Sequence, residues 1–272
     1  MREVFPIVVR GGGDLATGTI YQLYQAGFSV LVLETEKPSA IRRYVAFSEA
    51  VYEKSWTVEG VTAQRAQDLT EAKEILQAGK IPILCDAEAQ ILQNWKPYVL
   101  IDAILAKKNL GTTLDMADTV IALGPGFTAG VDAHMVIETK RGHNLGRVFT
   151  EGCAAKNTGI PGVIAGVGKE RVMHAQEAGI LYNQSKIGDI VQKGQVLATI
   201  DNTPVYASID GVLRGLLRDG YPMTKGFKIA DIDPRISEQK NCYTISDKAR
   251  CIAGGVLQAI MMRNKGCWTW KK

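Results

Sequence analysis

Apolar residues in the first half of the chain come in short unbroken runs, separated by stretches of helical spacing. Residues 7–9 (Ile-Val-Val) form a β-branched run suited to a strand buried on both faces. Gly11, Gly12 and Gly13 follow at once. Ile20, Leu23 and Tyr24 then recur on one helical face, with Gly27 as the stop. Residues 28–34 (FSVLVLE) read as a second buried strand that ends in an acid. The opening unit is therefore a βαβ. Further strand runs fall at 81–86 (IPILCD), 98–105 (YVLIDAIL), 119–126 (TVIALGPG) and 134–139 (HMVIET). Helical patterns at 68–79 (DLTEAKEILQAG) and 87–95 (AEAQILQNW) lie between them. Alternation of this kind predicts an α/β domain over 1–164: a Rossmann-like, mainly parallel sheet with helices on both faces.

The texture changes after residue 165, to short alternating runs containing an internal repeat. Residues 188–201 (GDIVQKGQVLATID) align without gaps on 220–233 (GYPMTKGFKIADID), an offset of 32 residues. Gly188, Lys193, Gly194, Ala198, Ile200 and Asp201 match Gly220, Lys225, Gly226, Ala230, Ile232 and Asp233. Two copies of one hairpin-like unit predict a small pseudo-twofold β module over 165–238. Its pattern resembles the barrel-sandwich hybrid of biotinyl and lipoyl domains. Those carriers present a modified lysine between the two halves, and the corresponding stretch 201–219 contains no lysine. A structural or docking module is expected, not a swinging arm, with Lys193 and Lys225 as solvated turn residues. Residues 239–272 form a C-terminal segment whose core, 244–262, reads as a helix with Ser246 as N-cap. Gly254 and Gly255 weaken that helix by about 1 kcal/mol each and mark close approach to another backbone, in the sheet domain or a second copy.

The glycine turn carries the first chemical signal. Gly11, Gly13 and Ala16 fit G-x-G-x-x-A, with Gly12 and Gly18 adding freedom around them. In this arrangement a phosphate approaches bare backbone at a helix N-terminus, whose free N–H groups attract anions. Glu34 lies where an acid would bond a ribose hydroxyl. Asp14 either opposes such a phosphate or caps the helix. In parallel sheets ligands sit beyond the carboxyl ends of the strands. Two more unusual loops fall at those ends. One holds Lys107, Lys108 and Asn109; the other holds Gly124, Pro125, Gly126, Asp132 and His134. His134 and His143 are either acid–base groups or ordinary hydrogen-bonded histidines. Cys153 is either a thiolate carrier of sulfur or selenium or a small buried thiol. No Ser-His-Asp or Cys-His spacing is diagnostic, and no metal site is expected.

Composition narrows the partners. The formal net charge is only +4, with no basic stripe interleaved with aromatics, so nucleic acid is not expected. Five cysteines without a Cys-x-x-Cys predict reduced thiols and a cytoplasmic setting. Arg2, Glu3, Pro6 and Arg10 break the leading apolar stretch, so no signal peptide is expected, and no apolar window predicts a membrane span. A small phosphate-bearing ligand fits all of this.

Six stretches, VVRGGGDLATG, KKNLGTT, VIALGPGFTAGVDAH, VIETKRGHNLGRV, NTGIPG and ISDKARCIAGGVL, occur in that order through nearly the whole chain. Together they resemble the YqeB-type accessory proteins of the selenium-dependent molybdenum hydroxylase system, whose nucleotide-binding half is similar to XdhC-type proteins. The resemblance implies a maturation factor that holds molybdenum cofactor, as molybdopterin or its nucleotide form, and docks on an apo-molybdenum hydroxylase. It implies a pathway and not a reaction. The cofactor-binding set would be Gly11, Gly12, Gly13, Asp14, Gly18, Glu34, Lys108, Asn109, Gly124 and Gly126. An NAD(P)-dependent oxidoreductase and a sulfur or selenium transferase using Cys153 stand as the alternatives.

Overall fold

A computed structural model describes residues 1–263 of the chain; Cys267 and the end of the expected C-terminal segment lie outside the described residues. The strands in chain order are β1 (Ile7–Arg10), β2 (Val30–Glu34), β3 (Ser55–Val58), β4 (Val61–Ala66), β5 (Ile81–Cys85), β6 (Val99–Asp102), β7 (Thr119–Leu123), β8 (Thr128–Ala129), β9 (Met135–Ile137), β10 (Val148–Phe149) and β11 (Gly152–Cys153). Nine of them form one sheet, in the order β10-β9-β7-β6-β1-β2-β5-β4-β3. Pairing is parallel from β9 to β4, and only the edge strands β10 and β3 run antiparallel. The fold is mixed α/β with a large, mostly parallel sheet and a C-terminal helix.

Strand β1 sits at the centre because Ile7, Val8 and Val9 are apolar on both faces. Val9 stands in register with Val32 on one side and Ile101 on the other. Chain order reverses across β1, since β2 lies on one flank and β6 on the other. Helix α1 (Asp14–Gln25) connects β1 to β2 and buries Ala16, Ile20 and Leu23 against the sheet. It ends as Gly27 predicts. Gly27 takes φ +85°, and the N–H groups of Gly27 and Phe28 donate to the carbonyls of Tyr24 and Leu23. That closes the helix in a Schellman motif. The short helix α2 (Ala50–Glu53) precedes β3. Helix α3 (Leu69–Gln77) starts at Asp68, whose Oδ1 accepts the N–H groups of Thr70 and Glu71 at 2.7 and 2.9 Å.

One crossover differs from expectation, and a second is the loop that the sequence predicts. Residues 87–95 form only a 3-10 turn at Gln90–Gln93, and the β6–β7 connection is likewise a loop with one 3-10 turn. Those turns cover the face that carries Val8 and Leu100, whereas α4 (Asp247–Arg263) packs on the opposite face, with Val9 and Ile101. Its Ile252, Val256, Ala259 and Ile260 join the same core as Ile20 of α1 and Ile121 of β7. Helix α4 is thus a structural part of the sheet domain. Ser246 caps it as expected, its Oγ accepting Ala249 N–H at 3.2 Å. Gly255 faces Gly146: a Cβ there would stand 2.2 Å from the Gly146 carbonyl oxygen. Gly254 meets nothing.

The second half contains β12 (Val172–His174), β13 (Gly179–Asn183), β14 (Ile190–Val191), β15 (Val196–Ile200), β16 (Thr203–Tyr206), β17 (Gly211–Leu216), β18 (Pro222–Met223) and β19 (Lys228–Asp233). They make two four-stranded sheets, β12-β19-β17-β14 and β16-β15-β13-β18. A shift of 32 residues carries β12–β15 onto β16–β19, so each sheet takes two strands from each copy. One apolar cluster, including Leu181, Leu197, Leu213 and Ile229, fills the space between them.

The module docks on the chain that follows β2. Leu216 N–H donates to the Ile41 carbonyl at 2.9 Å, and Arg43 Nε donates to the Leu216 carbonyl at 3.0 Å. Gly215 permits this approach, since a Cβ would lie 2.6 Å from Ile41 Cγ2. Arg218 reaches Glu49 at 3.0 Å and Glu53 at 2.5 Å.

A cationic cleft between the sheet and the β module

The turn after β1 is held at every polar atom that faces protein. Gly11 takes φ +97°, and a Cβ there would lie 2.9 Å from the Ala103 carbonyl oxygen at the end of β6. Only glycine lets the two strand ends meet this closely. Gly12 donates its N–H to Glu34 Oε2 at 2.6 Å, and its carbonyl accepts from Ser48 N–H at 2.8 Å. Thr17 Oγ1 bridges the Gly12 carbonyl and the Phe47 N–H. Gly13 differs from its neighbours. Its φ is −64°, and the position of a Cβ on it has no atom within 4 Å. It is the N-cap of α1, and no side chain caps that helix. The first-turn N–H groups therefore face open space with the positive end of the helix dipole behind them.

That space is a cavity of about 770 Å³. Gly11, Gly13, Asp14, Leu15 and Ala16 form one wall, and Ala103, Ile104 and Leu105 beyond β6 form the floor. Thr139, Lys140 and Arg141 after β9, and the strap 155–164, close a second side. Arg171, Arg214, Lys228 and Asp231 of the β module close a third, and Lys248 of α4 completes the rim. Arg42 and Lys107 add to these, making nine basic side chains against the carboxylates of Asp14, Glu34 and Asp231. The formal excess of six positive charges exceeds the +4 of the entire chain. Concave walls of one sign raise the local concentration of anions.

Each acid is already answered. Asp14 stands 3.5 Å from Arg42 Nη1, so it neither caps α1 nor presents an unbalanced charge to a ligand. Asp231 pairs with Arg171. Glu34 receives the N–H groups of Gly12 and Thr35; burial pushes its carboxyl above the usual carboxylate range, against the opposing pull of those two bonds. Two polar atoms of the wall have no partner among the described residues: Ser48 Oγ and Arg42 Nε, on side chains only 1% and 7% exposed. Burial lowers the pKa of Lys248 from its ordinary value, partly offset by Asp14.

The remaining expected residues do other work. Gly18 lies on the buried side of α1, where a Cβ would stand 2.7 Å from Ala249 Cβ; it serves the α1–α4 contact and is absent from the cleft wall. Asn109 is turned inward and bonds the N–H and carbonyl of Thr112, both at 2.8 Å. Gly126, at φ +108°, would place a Cβ 2.6 Å from Lys108 Cα, so it lets these two loops stack. Gly124 packs on Thr139, and Lys107 and Pro125 reach the cleft in place of Lys108, Asn109, Gly124 and Gly126. His134 Nδ1 accepts Val120 N–H at 2.9 Å near the amino end of β7, away from the cleft. Burial lowers its pKa, with Arg263 adding to the effect. Cys153 is exposed, with Sγ 3.3 Å from Thr128 Oγ1, and does not line the cleft.

Sequence reading missed most of the basic wall, from Arg42 to Lys248, and also a buried support beneath the cleft. Arg10 looked like an interruption of an apolar run, yet it is 2% exposed at the end of β1. It donates to Thr112 Oγ1 at 2.6 Å and to the Ala87 carbonyl at 2.8 Å, beside Asp102. Burial holds Asp102 above the ordinary carboxylate range while it accepts from Thr112. This network anchors the loop that carries Lys107.

The chain is similar to the uncharacterized protein YqeB of Escherichia coli (strain K12). The two are 52% identical over 256 residues, which is 94% of this chain and 47% of that protein. The chain thus spans about half the length of the curated relative it matches. No family model matches. Among solved structures, the product-bound ectoine utilization protein EutE (DoeB) from Ruegeria pomeroyi aligns with TM-score 0.23 and 12% identity, over 83% of this chain and 56% of that one. The succinylglutamate desuccinylase/aspartoacylase from Rhodobacter sphaeroides aligns with TM-score 0.26 and 13% identity, over 85% and 86%. Likeness at that level carries no functional inference. Among the described residues no three His, Cys, Asp or Glu side chains gather as a metal site, and no helix is long and apolar enough to cross a membrane.

Proposed function

We propose that the cleft binds a phosphate-bearing cofactor and that the chain delivers it to an apo-enzyme. The carrying observation is the excess of positive charge around an uncapped helix N-terminus at the carboxyl edge of a parallel sheet. Open space at Gly13 and the unpartnered Ser48 Oγ and Arg42 Nε suit a phosphate there. The family resemblance carried by the six motifs favours molybdopterin or its nucleotide form as the ligand and a selenium-dependent molybdenum hydroxylase as the client. The reading assigns binding and delivery, with no chemical step. It treats the sheet domain as Rossmann-like and the module as a barrel-sandwich hybrid, supported by the exchange of strands between its two copies.

NAD(P) is disfavoured because Glu34 is already engaged by two backbone N–H groups. Sulfur or selenium transfer is disfavoured because Cys153 lies outside the cleft wall.

Titration calorimetry with inorganic pyrophosphate and with molybdopterin cytidine dinucleotide tests the proposal. Both are expected to bind, with affinity falling about tenfold or more between low and high salt. If neither binds at millimolar concentration the proposal fails. NADH fluorescence is expected to stay unchanged.

A further inference from the structure

The β module contributes one of the cleft's charged walls, although nothing in its repeat pattern requires it to bind anything. Its cleft-facing charges all come from one sheet, β12-β19-β17-β14, and from Arg171 just before β12. The 32-residue symmetry makes this measurable. Arg171, Arg214, Lys228 and Asp231 correspond to Thr203, Tyr182, Val196 and Thr199 in the other copy. The charges are therefore confined to the sheet that meets the cleft, and a purely structural repeat has no use for them there.

The backbone departs from symmetry at the same place. Pairing of β17 with β19 shifts register between Leu213 and Gly215, which leaves Arg214 as a bulged residue. The equivalent pairing of β13 with β15 runs in register through Tyr182. The bulge between Val196 and Ala198 recurs in both copies and belongs to the fold, as its counterpart between Met173 and His174 shows. A bulge re-aims a side chain. Here it turns a half-buried arginine to a cleft that already holds the glycine turn. Within this wall Arg171 is neutralised by Asp231. Among the described residues the side chains of Arg214 and Lys228 make no hydrogen bond or close ion pair, and the longer-range fields of Asp233 and Asp247 act on Arg214.

We propose that Arg214 and Lys228 form a second anion subsite, so that the ligand carries a negative group at each end and bridges the sheet domain and the module. The inference rests on the cleft being a phosphate site at all. It adds that a singly anionic ligand fills only half of it, and it makes the module part of the binding machinery.

The test uses the full chain and two probe sets: hexane- to decane-diol bisphosphates, and the matching alkyl monophosphates. Wild type is compared with the Arg214→Gln, Lys228→Gln double variant. For at least one length, the second phosphate is expected to tighten wild-type binding about tenfold, as a second charge-assisted contact does. In the double variant that gain disappears, so that bisphosphate and matching monophosphate bind alike, with both affinities lowered by the two missing charges. Lys193→Gln, in an exposed turn, is expected to leave the gain intact. Absence of a gain in wild type at every length overturns the inference, as does a gain that survives in the folded double variant. If the double variant does not fold, Lys228→Gln alone is expected to reduce the gain at least threefold, and an undiminished gain overturns the inference. Failure of the monophosphates to bind wild type, with loss of pyrophosphate binding, instead removes the underlying cleft assignment.

Discussion

Gly11 and Gly13 have the same composition and opposite requirements. Gly11 needs its positive φ and meets the Ala103 carbonyl, so Gly11→Ala is expected to lower stability by about 1–3 kcal/mol in urea unfolding. Gly13 has an ordinary φ and faces open space, so Gly13→Val is expected to fold normally and to lose pyrophosphate binding about tenfold or more. Unchanged affinity in the folded Gly13→Val protein would remove the phosphate from this wall. Glu34 gives a pH-dependent counterpart. Burial raises its carboxyl above its ordinary value of 4.5, so the folded chain keeps that proton to higher pH than the unfolded chain does. Its contribution to stability therefore falls as pH rises from about 4.5 through the folded value. Glu34→Gln lacks this titration. The unfolding free energy of wild type minus that of Glu34→Gln is expected to decrease with pH over that window; a flat or rising difference contradicts the assignment. The sequence marked these glycines and Glu34 as one unit. It did not show that Glu34 spends its oxygens on the turn, because that depends on how β2 ends beside β1.

At the scale of elements, α1 and α4 show how distant segments share one surface. Their contact depends on Gly18 against Ala249, while Gly255 lets α4 approach Gly146 in the loop before β10. Gly18→Val is expected to cost about 1–3 kcal/mol through overpacking, while pyrophosphate affinity of the folded protein stays within about twofold of wild type. A selective loss of affinity would instead return Gly18 to the phosphate site. The period of 3.6 predicted both helices, and Ser246 and Gly27 predicted where they start and stop. The pairing of α1 with α4 was not legible, because it joins residues more than two hundred positions apart. The 3-10 turn at Gln90–Gln93 was misread because its apolar residues follow helical spacing, while Ala89 takes a left-handed φ of +53° that breaks the helical run. The cleft took Lys107 and Pro125 in place of Lys108, Asn109, Gly124 and Gly126 because two adjacent loops stack through Gly126. Loop stacking leaves no periodic signal.

The whole molecule is a sheet domain and a β module that enclose a cleft together. Their docking relies on Arg218, which answers Glu49, a carboxylate only 2% exposed. Burial raises the Glu49 carboxyl above the ordinary range, with Arg218 and Arg43 opposing that shift. Arg218→Ala leaves the acid with only the field of Arg43 and is expected to cost about 3 kcal/mol, with faster proteolytic cleavage between module and sheet domain. A variant with wild-type stability and cleavage would show that the backbone bonds at Ile41 and Leu216 suffice to hold the two parts together.

Local information in the chain was enough to establish the alternation of strands and helices, the glycine turn with its acid, and the doubled β unit. Each of these follows from side-chain period, backbone freedom or direct self-similarity, which depend on neighbours a few residues apart. The charge of the cleft was beyond that range. Its nine basic residues come from positions 42 to 248, and among them only Lys140 and Arg141 are sequence neighbours. A formal charge of +4 spread over the chain looked unremarkable because electrostatic fields sum in space. Only the docking of the module on the sheet domain brought those charges around one cavity, and so marked a ligand site.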